Sequence, residues 1–503
     1  MSLVSQVGRK RPRARLAMGF LYLLLIVGAL TTVYPFLLMV STGLKGPTDQ
    51  NDTAVIPTYV SDSNALLSKY VDDKYSGNLE LIGSTRIGSA GDVTAYNQFL
   101  MTLPLDMWSA GFRLAPNQVT SRVTQRYQTW LRSRFASIEE LNKTYIEENV
   151  AFQTVQPPTE QLERSTWKPL AAQRYDDWLE FKKTLPSEYR IPVRTTRLWQ
   201  EFLRTSYKNR IEDVPSEQRG SAKTFESIVS KPSAPEFLNQ LPERYRNGTA
   251  EELWSASHTG PMPIEAAEKQ FVEGNASEIK REFAGRNFRY VLDYILINGR
   301  AVLNTFIFCG LAILTQLVVN PLAAYALSRY PIKASGKILL FLLATMAFPA
   351  EVAMIPSFLL LKDLHLLNTF AALVLPGMAS GYMIFLLKGF FDSLPTELFE
   401  AGQLDGAPET TLLARIAIPL TKPVLGYLAL MAFMASYSTF MFAFLVAQDQ
   451  KMWTLMVWVY QLQTTAPKAV VMAALALAAL PTLIVFLFAQ RVIMKGIVIP
   501  GDR

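Results

Sequence analysis

Six apolar runs punctuate the chain, at roughly 16–41, 299–327, 338–361, 369–391, 424–447 and 468–491. Each is close to the ~20 residues that cross a bilayer core as a helix. Between the first and second runs lies a long polar stretch, 44–298, rich in Trp, Tyr, Arg and Glu. The pattern predicts an all-α polytopic membrane protein with six transmembrane helices and one large soluble insertion. Pro35, Pro321, Pro349, Pro356, Pro376 and Pro481 fall inside the runs and predict bent helices. Such bends are tolerated where neighbouring helices or a cavity satisfy the freed backbone groups.

Charge sets the expected orientation. Arg9, Lys10, Arg11, Arg13 and Arg15 precede the first run, so residues 1–15 are expected in the cytoplasm and 16–43 as the first span. A cleavable signal peptide is the rival reading. It fits less well, because the run is long for an h-region and Met39-Val40-Ser41 is a poor cleavage site. Residues 44–298 then fall in the periplasm of a diderm bacterium, and spans two to six occupy 299–491. The loops 328–337 and 392–423 and the tail 492–503 return to the cytoplasm. They carry Arg329, Lys333 and Lys337, then Arg415 and Lys422, then Lys495 and Arg503. This placement accounts for the net charge of +7 without a nucleic-acid partner. Cys309 is the only cysteine, which excludes an internal disulfide and a cysteine metal site. His258 and His365 are far apart in sequence, so no metal or catalytic histidine site is expected.

The most distinctive stretch is Glu400-Ala401-Gly402-Gln403-Leu404-Asp405-Gly406-Ala407, followed by Ile418-Pro419-Leu420. Thr396 is expected to cap a helix, with Glu397 and Glu400 in its first turns, where the helix dipole favours negative charge. Leu398, Ala401 and Leu404 share a face. Gly406 is expected to stop the helix with a positive φ, and Pro408 to open a second one. Leu412, Leu413 and Ile416 continue an apolar face, and Pro419 and Pro423 break the chain before the next span.

This hairpin resembles the EAA loop of ATP-binding cassette (ABC) importer permeases, whose family form is close to EAAxxDGA followed by a Pro. Gly402 stands here for the second Ala. Tyr34-Pro35, Ala323-Ala324-Tyr325-Ala326-Leu327-Ser328-Arg329, Ile355-Pro356, Leu394-Pro395 and Leu480-Pro481 also fit. The chain is most similar to the carbohydrate-uptake, MalG-like branch of maltose-type importers. The resemblance implies a type I importer (MetI-like) fold. It also implies partners: an ABC ATPase dimer, a second, MalF-like permease and a periplasmic solute-binding protein. Glu400, Ala401, Gly402, Asp405, Gly406, Ala407 and Pro419 would couple to the ATPase. The chain has no GxxxxGK[ST] phosphate loop, so ATP hydrolysis is expected in the partner and no cofactor is expected. Where the family often has Trp-Asn in the fifth span, this chain has Tyr437-Ser438.

Polar residues inside the apolar runs are candidates for a sugar path: Gln316, Asn320, Ser380, Tyr382, Tyr437, Ser438 and Thr439. The same residues could instead bond neighbouring helices. A gradient-driven transporter or channel remains the alternative, and intramembrane ionisable residues would support it. Lys388 and Glu351 are the few such residues after position 300.

Within the insertion, aromatic pairs recur ahead of helix-start signals: Tyr70 and Tyr75; Trp130 and Phe135 before Ser137-Ile138-Glu139; Phe202 and Tyr207 before Arg210-Ile211-Glu212. Amphipathic helices with packed aromatic faces are expected, broken near 156–158, 231–235 and 261–263. Docking of the solute-binding protein, sugar binding and a purely structural role all stay open for it.

Overall fold

The computed structural model describes residues 12–75, 90–110, 121–162, 167–169, 171–228, 232, 235–297, 300–347 and 349–495. The described residues are mostly helical. Their one sheet is a single antiparallel pairing of Trp108–Ser109 with Ile191–Pro192. The chain divides into two compact units, 1–291 with 465–473, and 292–464 with 474–503.

The first unit holds the long helix Pro12–Gly43 and the insertion up to residue 291. Aromatic side chains build its larger core: Tyr70, Tyr75, Trp108, Tyr127, Trp178 and Phe181 are each at most 2% exposed. A smaller core gathers around Trp199, Leu203, Phe225, Phe237 and Tyr245. Burial of each such ring is worth about 1.5–3 kcal/mol. Ser137 caps Ile138–Tyr145, accepting from the Glu140 amide at 3.3 Å, as its position before Ile-Glu predicts. Arg210-Ile211-Glu212 instead opens only the short turn Ile211–Asp213. The segments at 156–158 and 261–263 are irregular, and most of 231–235 lies outside the described residues.

Buried ion pairs lock this unit. The Lys182 ammonium, fully buried, bonds the Leu105 and Trp108 carbonyls at 2.8 Å and both Glu160 oxygens at 3.0 Å. At the end of the first helix, Asn287 Nδ2 donates to the Gly43 and Lys45 carbonyls at 2.9 and 2.6 Å. A Cβ on Gly43 would lie 3.1 Å from the Ala473 backbone, so only glycine permits this approach.

Three of the predicted spans are continuous helices: Pro12–Gly43, Ala301–Arg329 and Lys468–Lys495. The other three are broken. The 338–361 run forms Ser335–Thr345 and Ala350–Asp363, parted ahead of Pro349. The 369–391 run forms Phe370–Gly377 and Gly381–Asp392, bent by 52° where Pro376 and Gly377 end the first piece. The 424–447 run forms Lys422–Tyr437 and Met441–Val446. Gly381 faces the Leu342 carbonyl so closely that a Cβ would lie 2.3 Å from its oxygen.

Candidate functional site

The hairpin at 392–423 is built on one buried anchor. Its first helix runs Thr396–Leu404 with Pro395 at the N-cap, so Thr396 is the first helical residue and not the expected cap. Phe399 points inward and is 5% exposed. Leu398, Ala401 and Leu404 do share a face, but it is the outer one, and Leu404 is 90% exposed. Glu397, Glu400 and Asp405 are exposed beside them.

Gly406 ends the helix at φ +77°. Its amide bonds the Gln403 carbonyl and the Ala407 amide bonds the Gly402 carbonyl, both at 3.0 Å. This is the paired C-terminal closure that a left-handed residue permits. Pro408 caps the second helix from just outside, ahead of Glu409–Leu412. Leu412, Leu413 and Ala417 are buried on the same core as Phe399. The second helix, through Pro419 to Leu420, meets Lys422–Tyr437 at 83°, so Pro419 sits just ahead of the turn into the next span.

Residues outside the hairpin hold it in place. The Arg329 guanidinium lies 3.7 Å from the Phe399 ring centroid and donates to the Phe391 carbonyl at 2.7 Å. The Tyr325 hydroxyl donates to Glu409 Oε2 at 2.8 Å, and Ser328 Oγ to Asp392 Oδ1 at 2.6 Å. A cation over a ring and charge-assisted hydrogen bonds each contribute on the order of 1–3 kcal/mol. Reading by sequence alone did not single out Phe399, Glu409, Tyr325 and Arg329 as site residues. The signal for the last two lies in the 323–329 stretch, which carries the family resemblance.

Gly402 is more than a small residue on this helix. A Cβ there would lie 2.6 Å from Leu412 Cδ2, and Leu412 is 1% exposed. Restoring alanine with Gly402→Ala is therefore expected to destabilise the hairpin by about 1–3 kcal/mol through overpacking. Hydrogen exchange across 396–407 should accelerate roughly tenfold or more and recover in Gly402→Ala/Leu412→Val. Unchanged exchange would show that Leu412 moves aside freely.

Elsewhere in the second unit, a cavity of about 460 Å³ is lined by Phe308, Gln316, Glu351, Ser357, Thr439 and Phe440, among others. Gln316 Nε2 donates to the Gly377 carbonyl at 3.0 Å, while its buried Oε1 has no partner among the described residues. Asn320 is fully buried and works as a splice: it bonds the Gln316 carbonyl at 2.8 Å and accepts from the Ser380 amide at 2.8 Å. Ser380 Oγ caps Gly381–Asp392. Tyr437 is 6% exposed and its hydroxyl donates to the Ala478 carbonyl at 2.5 Å. Ser438 and Thr439 hydroxyls return to the Met434 and Ala435 carbonyls. The cavity thus takes in Gln316 and Thr439 of the seven candidates, while Asn320, Ser380, Tyr382, Tyr437 and Ser438 are not among its lining residues. Glu351 lines it, a residue that sequence reading weighed only as an ion-path signal.

Comparison with known proteins matches residues 320–498 to the family "binding-protein-dependent transport system inner membrane component". The sn-glycerol-3-phosphate transport system permease protein UgpE of Yersinia pestis is 32% identical over 206 residues, 40% of this chain and 73% of that protein. This chain belongs to that permease family. The arabinooligosaccharides transport system permease protein AraQ of Bacillus subtilis is 27% identical over 215 residues, 41% of this chain and 76% of that protein. A crystal structure of a bacterial ABC transporter for import of the polysaccharide alginate aligns at 25% identity and TM-score 0.37, over 41% of this permease and 78% of that chain. The family match includes the hairpin, the fifth and sixth predicted spans and most of the cavity lining, and begins after the insertion. Membership makes the permease a multi-pass inner-membrane subunit of an importer, with the type I importer fold.

Proposed function

We propose that this permease moves a sugar or oligosaccharide inward, in a maltose-type arrangement, using ATP hydrolysed by a separate ABC ATPase dimer. A second, MalF-like permease and a periplasmic solute-binding protein complete the assembly. The N- and C-termini lie in the cytoplasm and residues 44–298 in the periplasm. Glu400, Ala401, Gly402, Asp405, Gly406, Ala407 and Pro419 belong to the coupling element. Gln316 and Thr439 contribute to the path, together with Glu351, while Asn320 and Tyr437 hold helices together.

One observation carries the reading. The hairpin buries Phe399 yet leaves Leu398 and Leu404 exposed beside Glu397, Glu400 and Asp405. An exposed apolar strip rimmed by charge marks a protein interface. Relatives named for glycerol phosphate and arabinooligosaccharide transport support a polyhydroxylated substrate. Glu351 is an observation on the side of a gradient-driven carrier, since a carboxylate within a span marks an ion path or a water-filled cavity, whereas Lys388 is paired with Asp392 at 2.6 Å. Purification of the tagged chain in mild detergent, with mass spectrometry of what accompanies it, separates the two. Recovery of an ATP-binding subunit and a second permease is expected. A chain recovered alone that moves solute into vesicles without ATP would overturn the importer reading.

A further inference from the structure

The insertion contains a groove that its packing does not use. Arg122, Gln125, Arg126, Thr129, Trp130 and Ser133 recur at helical spacing on Arg122–Arg134 and line a hollow of about 550 Å³. Thr184, Tyr189 and Glu282 also line it. Val123, Tyr127 and Leu131 of the same helix fill the core, so the lining stripe is a separate face.

The electrostatics of the groove are unbalanced. The Arg122 and Arg126 guanidiniums both lie over the Tyr189 ring, each 5.2 Å from its centroid. Arg122 is committed elsewhere: its Nε bonds both Glu282 oxygens, at 3.1 and 3.0 Å. Glu282 also pairs with Arg286, which pairs with Asp73. Arg126 is exposed and has no carboxylate partner among the described residues. Over the Tyr189 ring it presents a planar fork of N–H donors with no carboxylate beside it among the described residues. Such a fork matches a carboxylate in two parallel hydrogen bonds.

The rest of the stripe suits a sugar. Thr129 and Ser133 donate their hydroxyl protons to their own helix, at 2.9 and 2.7 Å, which leaves oxygen lone pairs to accept from ligand hydroxyls. The Gln125 amide can both donate and accept. Trp130, half-buried and stacked on Tyr127, supplies an apolar wall. From position 122 to 133 the stripe rises about 16 Å, room for a short chain of linked rings.

We propose that this groove binds an oligosaccharide bearing carboxylates, with Arg126 holding one acid group and Gln125, Thr129 and Ser133 meeting ring hydroxyls. The inference stands on the insertion alone and not on the transport reading.

Calorimetry on the full-length chain in detergent tests it, with trigalacturonate, maltotriose, sodium sulfate and a hexaglutamate peptide as probes. Trigalacturonate is expected to bind at least tenfold more tightly than the other three, and more weakly as salt rises. Arg126→Ala should weaken it tenfold or more, Arg126→Lys less, with the thermal unfolding midpoint unchanged because Arg126 is exposed. Gln125→Ala, a second surface variant, should weaken it severalfold. Maltotriose or sulfate binding as tightly as trigalacturonate would overturn the proposal, as would an unaffected Arg126→Ala. Equal binding of hexaglutamate would reassign the groove to an acidic protein segment. No binding by the unaltered chain would refute it outright.

Discussion

Gly406→Val is expected to abolish ATP-driven uptake while leaving the chain in the membrane. Gly406 sits at φ +77°, where a β-branched residue is sterically excluded. Valine must either hold a strained turn or release the two hydrogen bonds that close Thr396–Leu404. Left-handed backbone alone costs a residue with a Cβ roughly 1–2 kcal/mol, and valine more. The outer face of Leu398, Ala401 and Leu404 depends on that closure for its direction. As the proposed coupling element, the hairpin would transmit force only with a rigid end, so substrate-stimulated ATP hydrolysis should fall at least tenfold. The recovered ATPase subunit should fall in parallel. Gly406→Asn, a side chain that tolerates this conformation, should retain much more activity than valine. Full activity and normal ATPase recovery in Gly406→Val would mean that the hairpin is not the coupling element.

The turn was legible in the sequence because glycine and proline announce their backbone preferences directly. Gly406 reads as a helix stop with no tertiary information, and it is one. The anchoring of the hairpin was not legible. Periodicity places Leu398, Ala401 and Leu404 on one face but is silent on which of two surfaces that face meets. Phe399, one position away, takes the core instead, because Arg329 and Tyr325 offer a cation and a neighbouring ring there. Gly402 likewise reads as a tolerated small residue until Leu412 is seen against it.

The spans show the same division. Their positions follow from hydropathy, and the breaks ahead of Pro349 and just after Pro376 fall at prolines the sequence marks, whereas Pro35, Pro321, Pro356 and Pro481 sit inside continuous helices. Polar residues inside apolar windows carry an ambiguity that hydropathy cannot resolve. Asn320 and Tyr437 spend their groups on neighbouring backbone, while Gln316 keeps a buried oxygen without a partner among the described residues, beside the cavity. In the insertion, aromatic spacing marked Tyr70, Tyr75 and Phe135 as core, while Trp108, Tyr127 and Phe181, which lie outside the recurring pairs, fill much of the rest. It did not separate Trp178, sealed inside, from Trp130, left half-exposed on a groove.

Lys182→Met should be the most destabilising single change in the insertion. The ammonium is fully buried, and Glu160 beside it is 2% exposed at its side chain. Burial pulls the Lys182 pKa down even with Glu160 adjacent, so the pair is held at a real desolvation cost. Methionine keeps the volume of the stem but leaves Glu160 as an unpaired buried charge and frees the Leu105 and Trp108 carbonyls. Removing one partner of a buried pair typically costs about 3–5 kcal/mol. For a unit of this size that lowers the unfolding midpoint by about 10 °C. Tryptophan emission is a suitable readout, because Trp108, Trp130, Trp167, Trp178, Trp199 and Trp254 all lie in the insertion and only Trp453 and Trp458 lie outside it. Glu160→Gln added to Lys182→Met should return a large part of the loss, since the amide removes the stranded charge. That recovery distinguishes an electrostatic penalty from poor packing of methionine. If the double variant unfolds at the same temperature as Lys182→Met, the loss belongs to packing around Trp108, whose ring lies 4.5 Å from the ammonium, and the ion pair contributes little.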